Sequence, residues 1–273
     1  MVEVTGLFIY PVKSCRAIPL QEAEVGERGL LHDREFLVVD DTDRFLTQRD
    51  APELATVELE LEAAGLRMKT ARAGELSLPF NNEARGRRNV RIFSDDVIAD
   101  DTGDEAAEWF SAALGRTCRL VGIGPCSKRE VALERVAEVH RAATAPQISF
   151  TDAFPTLLTS ESSLVDLNTR LPRPIPMNRF RPNIVVRGSA PYEEHTWSRV
   201  RAGDMVFGCP AACLRCVIST TDQQTGDRDG AEPLRTLATY RRSSDGGGVM
   251  FGQYLVHSGS GKLRLGDVVT TER

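Results

Sequence analysis

The sequence predicts an α+β, β-rich protein of two packed β-barrel-like domains with a few peripheral helices. Three observations lead there. Short runs rich in β-branched and aromatic residues recur along the chain, whereas helix-period stripes stand out in three places. Polar breaks separate many of the runs, as antiparallel hairpins require and long βαβ crossovers do not. The length of 273 residues suffices for two domains, with a soft boundary between about residues 120 and 150, which divides the chain into units 1–125 and 126–273.

In chain order, residues 4–10, 35–39 and 44–48 read as strands, the last two separated by the turn residues 40–43. Residues of about 61–91 are loosely patterned and yield no element. Thr102 and Glu105 have capping-box spacing, after which Ala106, Ala107, Phe110, Ala113 and Leu114 fall on one helical face before Gly115 stops it. The polar stretch 127–147 reads as a mobile excursion or a helix. Ser160 caps a second helix, 161 to about 170, striped by Leu164, Leu167 and Leu171 and ended by Pro172. Residues 183–187, 205–207 and 217–221 read as strands. Pro233 suits the first turn of a third helix running to about 242, and the break 258–261 suits another hairpin.

Composition excludes several classes. A chain 41% hydrophobic and 27% charged is neither disordered nor fibrous. Six cysteines are too few for a disulfide scaffold, which favours a reducing, cytoplasmic setting. The N-terminus has no signal-peptide pattern, and no apolar run approaches the roughly 20 residues that span a bilayer, so no membrane partner is expected. A net charge of −5 argues against nucleic acid as the main partner, while leaving room for a local basic pocket.

Cys209, Cys213 and Cys216 are the strongest chemical signal, three soft ligands within eight residues. An iron–sulfur site of radical type, a zinc site, a thioredoxin-like dithiol and a set of small buried hydrophobes all remain open on spacing alone. The dithiol reading is disfavoured because it needs a helix after the motif where residues 217–221 read as strand. A second set is basic or donor-rich: Lys13 and Ser14, Asp33 and Arg34, and Arg179, Arg181 and Asn183 adjoin strand ends. Each alone reads as solvated surface. Together with a helix N-terminus at Thr159 and Ser160 they share a preference for an oxyanion, phosphate above all. Walker A, G-x-S-x-G, H-E-x-x-H and complete G-x-G-x-x-G patterns are missing, and the four histidines read as structural.

These pieces resemble a known family. Residues 10–15 (YPVKSC), 29–34 (GLLHDR) and 45–49 (FLTQR) are similar to the β-barrel domain that precedes MOSC domains. Residues 158–161, 164–168, 179–183, 213–216 with 220–222 and 225–226, then 232–234, 251–254 and 265–267 resemble the MOSC domain in order. Within that family the resemblance extends to the mitochondrial amidoxime-reducing component and to bacterial relatives that detoxify N-hydroxylated bases.

The resemblance implies a molybdenum–pyranopterin cofactor with Cys216 as its catalytic thiolate ligand. It assigns the pterin and its phosphate to Lys13, Ser14, Arg34, Thr159, Ser160, Arg181 and Asn183. It further implies reduction of N-hydroxylated small molecules, amidoximes and hydroxylaminopurines, with electrons from a separate ferredoxin- or flavin-type protein. The membrane anchor of eukaryotic relatives, the ferredoxin domain of some bacterial ones and the desulfurase half of the cofactor sulfurases are not seen. A sulfur-carrier or cofactor-delivery module is the alternative that the same resemblance leaves open.

Overall fold

The structure, a computed structural model, describes residues 1–80, 84–132, 146–228 and 230–273. Its centre is a closed barrel of seven strands among the described residues. Around the barrel run Thr156–Ser160, Ile184–Arg187, Val2–Ile9, Val268–Glu272, Arg199–Ala202, Met205–Gly208 and Val249–His257, the last pairing back to Thr156–Ser160. The strand nearest the N-terminus therefore lies between two that come late in the chain. It is antiparallel to both, with Leu7 opposite Ile184 and Glu3 opposite Val268. Closure removes every edge from these seven strands.

Smaller sheets surround the barrel. Phe36–Asp40, Cys118–Gly122, Asp95–Asp101 and Arg87–Ile92 form one of four strands, and Glu58–Glu62, Gly65–Thr70 and Gly74–Pro79 a meander of three. Glu22–Gly26 pairs with both Gly29–Leu30 and Gly261–Arg264, a further tie between the two halves of the chain. The β-rich α+β class thus holds. Residues 61–80 and 84–91 turn out to be largely strand. Their pattern was illegible because Glu58–Glu62 alternates Glu with half-buried Leu, and cross-strand ion pairs such as Arg67 with Glu60 carry the exposed face.

Three α-helices occur among the described residues. α1, Asp104–Leu114, buries its predicted face and ends on Gly115 in the left-handed region, φ 66°. Its N-cap is Gly103, not the expected capping box, because the Thr102 hydroxyl donates to the Leu120 carbonyl at 2.9 Å. α2, Glu161–Arg170, has the predicted limits and links the two parallel barrel strands Thr156–Ser160 and Ile184–Arg187. α3 is a single turn, Leu234–Leu237, far shorter than expected, since the chain returns at once to the barrel: the Met250 N–H donates to the Arg241 carbonyl at 2.9 Å.

Other expectations also fail. Residues 44–48 make isolated bridges and then a turn closed by Asp50, not a strand. Residues 258–261 join strands that belong to different sheets, not a hairpin. Of the stretch 127–147, Glu130 bridges Gln147, and 133–145 lie outside the described residues.

The barrel interior and α1 share one apolar core, from Val4, Leu7 and Ile9 to Phe110, Phe207 and Leu255. A second cluster of Leu167, Phe180, Leu237 and Phe251 seats α2 and α3 on the outside of the barrel. Phe180 and Phe251 stack there at 3.8 Å, and burying a side chain of that size is worth about 1.5–3 kcal/mol.

Candidate functional site

A cleft opens where the Ala212–Arg215 strand meets the turns of the N-terminal half. That strand continues the line of Met205–Gly208 along Val249–His257 after the kink at Cys209 and Pro210, with a bulge between Ala212 and Leu214. The geometry places Cys213, Arg215 and Cys216 in the wall of the cleft. Lys13 and Ser14 come from the turn after Val2–Ile9, Arg34 from the turn before Phe36–Asp40, and Arg181 and Asn183 from the turn before Ile184–Arg187.

Tyr10 organises the cationic side. Its ring lies between the guanidinium groups of Arg34 and Arg181, whose Cζ atoms are 4.2 and 4.3 Å from the centroid. Its hydroxyl donates to the Pro182 carbonyl at 3.0 Å. Burial pushes the Tyr10 phenol up to about 12 despite the two arginines. Burial pulls Arg181 down to about 10, and the neighbouring charge of Arg34 adds to the fall. Burial likewise lowers Lys13 to about 8, against the pull of Asp152, which accepts from its ammonium group. The Asp152 carboxyl, raised by desolvation alone, is held well below the usual range by Lys13.

Hydrogen bonds separate the committed groups from the free ones. Arg34 donates to Asp33 at 2.6 Å, to Asn183 Oδ1 at 2.9 Å and to the Arg181 carbonyl at 3.2 Å. Asn183 also accepts from Leu157 N–H at 3.1 Å and donates to the Phe8 carbonyl at 3.1 Å, so it braces three barrel strands while facing the cleft. Arg181 donates through Nη1 to Gln223 at 3.0 Å, and its buried Nη2 has no partner among the described residues. Thr151 Oγ1, also in the wall, is buried without a partner as well. Ser14, Arg34 and Arg181 have φ of 72°, 50° and 54°, left-handed values that cost non-glycine residues on the order of 1–2 kcal/mol.

Cys216 is half-buried and accepts from Arg49 Nη2 at 3.2 Å. Cys213 is buried and accepts from Arg215 Nη1 at 2.9 Å. The cysteines are free thiols, and among the described residues no group of three His, Cys, Asp or Glu side chains is placed to hold a metal by itself.

Residues 1–117 match the MOSC N-terminal beta barrel domain, and residues 145–270 the MOSC domain. Mitochondrial amidoxime-reducing component 1 of Mus musculus is 36% identical over 97% of this chain and 81% of its own. The protein of the same description from Homo sapiens is 34% identical, over 97% and 82%. Mitochondrial amidoxime reducing component 2 of Macaca fascicularis is 36% identical, over 97% and 82%. The chain belongs to the MOSC family.

In this MOSC protein the cleft gathers Lys13, Ser14, Arg34, Arg181, Asn183 and Cys216 from distant parts of the sequence. Thr159 and Ser160 are not in its wall. They are fully buried at the end of a barrel strand; Ser160 stands at the N-cap of α2 as expected, but its hydroxyl lies 2.8 Å from that of Ser189 and makes no side-chain cap bond. Residues 217–221 are not a strand either. Val217–Thr220 is a 3₁₀ turn, because the hydroxyls of Ser219 and Thr220 donate back to the carbonyls of Cys216 and Val217 at 2.9 and 2.8 Å. A strand after Cys216, which would disfavour a dithiol, is therefore absent. What distinguishes the two thiols is their surroundings: Arg215 takes one and Arg49 the other.

Sequence reasoning missed Arg49, Asp152 and Arg215. Arg49 and Arg215 stand inside the quoted motifs, and their position next to Gln48 and Cys216 was the available signal. Asp152 had none, since its meaning comes only from Lys13, 139 positions away. Among the described residues no helix is long and apolar enough to cross a membrane.

Proposed function

We propose that this protein is an oxidoreductase that reduces N-hydroxylated compounds, amidoximes and hydroxylaminopurines, using a molybdenum–pyranopterin cofactor bound in this cleft. The donor set fits such a group. Four cations, Lys13, Arg34, Arg181 and Arg215, face it against Asp152, and the unpaired buried Nη2 of Arg181 is a donor that folding leaves unsatisfied at a cost of about 1–3 kcal/mol. An anionic ligand would satisfy it. That orphaned donor, in the same cleft as a half-buried thiol, carries the reading.

In it, Arg181 and Arg34 clamp the phosphate with Tyr10 bracing both guanidinium planes, Lys13 adds charge, and Ser14 and Thr151 offer hydroxyls. Cys216 provides the soft protein thiolate, with Arg49 holding its sulfur. Bound there, the cofactor supplies the two-electron couple for removing oxygen from nitrogen. The overall reaction takes the N-hydroxyl compound, two electrons and two protons to the amine or amidine and water. The electrons come from a separate ferredoxin- or flavin-type protein, and the setting is the cytoplasm. The amidoxime-reducing components named above support this choice of substrate.

Expression with molybdate, metal analysis and turnover of benzamidoxime or 6-hydroxylaminopurine with a reduced donor test the proposal. Molybdenum near one per chain and loss of the N-hydroxyl group are expected. A molybdenum-replete sample that turns over no N-hydroxylated compound would sink it, and transfer of intact cofactor to a cofactor-free enzyme would favour the delivery module.

A further inference from the structure

Arg49 reaches Cys216 from the N-terminal half on a backbone held from several sides. Asp50 accepts from the Thr47 N–H at 3.3 Å and from its hydroxyl at 3.2 Å, while the Thr47 carbonyl accepts from the N–H groups of Asp50 and Ala51 at 2.9 Å. From the C-terminal half, Arg228 donates to the carbonyls of Gln48 and Arg49, and its Nε donates to Thr221 Oγ1 at 3.0 Å. The buried amides of Gln48 and Gln223 exchange hydrogen bonds of 2.9 and 3.0 Å. The guanidinium group is also flanked by Phe93, whose ring centroid is 5.7 Å from Cζ. Phe93 is 48% exposed, sits at φ 54° and is propped edge-to-face on Phe45 at 4.7 Å. A solvated surface arginine samples many rotamers. This one has its backbone, one face and one N–H assigned, and the N–H goes to sulfur.

We propose that Arg49 is a positioning residue for the metal centre, fixing the Cys216 side chain and drawing electron density from its sulfur, so that the bound metal has a raised reduction potential. The inference rests on the reading of Cys216 as metal ligand given above. A thiolate that shares a lone pair with a cationic donor gives less density to the metal, which favours the reduced, more electron-rich state. The contact crosses between the halves of the chain, so the potential depends on how the N-terminal turn is seated on the C-terminal half.

The test is an EPR-monitored potential titration of molybdenum-loaded wild type, Arg49→Gln, Arg49→Lys and Arg228→Ala, with molybdenum content and X-ray absorption recorded for each. Arg49→Gln is expected to keep the sulfur shell and to lower the potential by an amount on the order of tenfold in the one-electron equilibrium, about 59 mV. Arg49→Lys restores part of the shift, and Arg228→Ala, which loosens the turn and leaves the guanidinium charge in place, gives a smaller shift of the same sign. If Arg49→Gln does not fold, the other two variants decide by the same measurement. Loaded variants with the wild-type potential and an unchanged spectrum would overturn the inference while leaving the cofactor reading intact. A Cys216→Ala protein that keeps every molybdenum–sulfur contact would instead overturn that reading, and the role of Arg49 with it.

Discussion

Arg181 occupies its place against burial, the charge of Arg34 and a left-handed backbone at φ 54°. The Tyr10 ring and the Gln223 amide offset part of this, and an anionic ligand would offset more. Arg181→Ala should therefore lower pterin occupancy severalfold or more, since one charge-assisted contact is worth roughly 1.5–3 kcal/mol. Pterin released by oxidation and read by fluorescence checks this, and unchanged retention in a folded variant would make Arg181 ordinary surface. Lys13 supplies a pH signature. Its ammonium group is held to about 8 in the fold and to 10.5 in the unfolded chain, so between those values the unfolded state binds more protons. The penalty is fully present below pH 8 and is relieved as pH rises through the window, so stability of the cofactor-free protein should rise there relative to Lys13→Met. Parallel urea midpoints for the two proteins across that range would refute it. The cysteines separate by the same logic of partners. Cys216→Ala should remove one sulfur from the molybdenum shell and abolish turnover, whereas Cys213→Ala should spare both; equal sulfur loss in the two variants would indicate a shared dithiol.

At the scale of the element, the strand Val249–His257 holds the barrel shut and also carries the cysteine strand along its other edge. Gly252 makes the close approach feasible. It has φ 81°, and a Cβ there would stand 2.8 Å from the Leu158 carbonyl oxygen and 2.9 Å from a Thr159 methyl. Gly252→Ala should cost at least ~2 kcal/mol, read as a lowered urea midpoint, with part of the effect arising from backbone strain alone. The Gly252 carbonyl accepts from His195 Nε2 at 3.1 Å, while Nδ1 of the same ring accepts from Arg241, which requires the neutral imidazole. Burial and Arg241 hold His195 down to about 4, against 6.5 when unfolded. The unfolded chain binds the extra proton between those values, so this contribution is lost as pH falls through the window. The buried carboxyl of neighbouring Glu194 is raised and acts in the opposite sense. The measurable quantity is thus the difference in acid sensitivity between wild type and His195→Gln, and no difference between pH 6.5 and 4 would dispose of the argument.

For the whole molecule, the pairing of Val2–Ile9 between Ile184–Arg187 and Val268–Glu272 has a direct consequence. A fragment of residues 126–273 lacks that strand and leaves two apolar barrel edges unpaired. It should not give a soluble folded monomer by itself, and supplying residues 1–125 in trans should recover it. Size-exclusion chromatography and amide NMR dispersion would show the opposite result at once. The two halves are then proposed domains in sequence, joined in one barrel.

The sequence by itself determined the β-rich class, the length of α2, the end of α1 and six of the residues in the cleft. These are legible because periodicity, a glycine stop and contiguous motifs are local properties. Tertiary structure alone decided the rest. The strands between 58 and 92 emerged from cross-strand pairing and from the burial of Leu66, Met68, Leu78, Val90 and Ile92, and the turn after Cys216 from hydroxyls that outcompete the β-propensity of Val217 and Ile218. Thr159 and Ser160 were drawn into the barrel wall by its closure. The partners that give the site its character, Asp152 for Lys13, Arg49 for Cys216 and Tyr10 between two arginines, lie 139, 167 and up to 171 positions apart. Charge, burial and hydrogen bonding act through space at a few ångströms, and only a closed barrel brings such distant positions within that range.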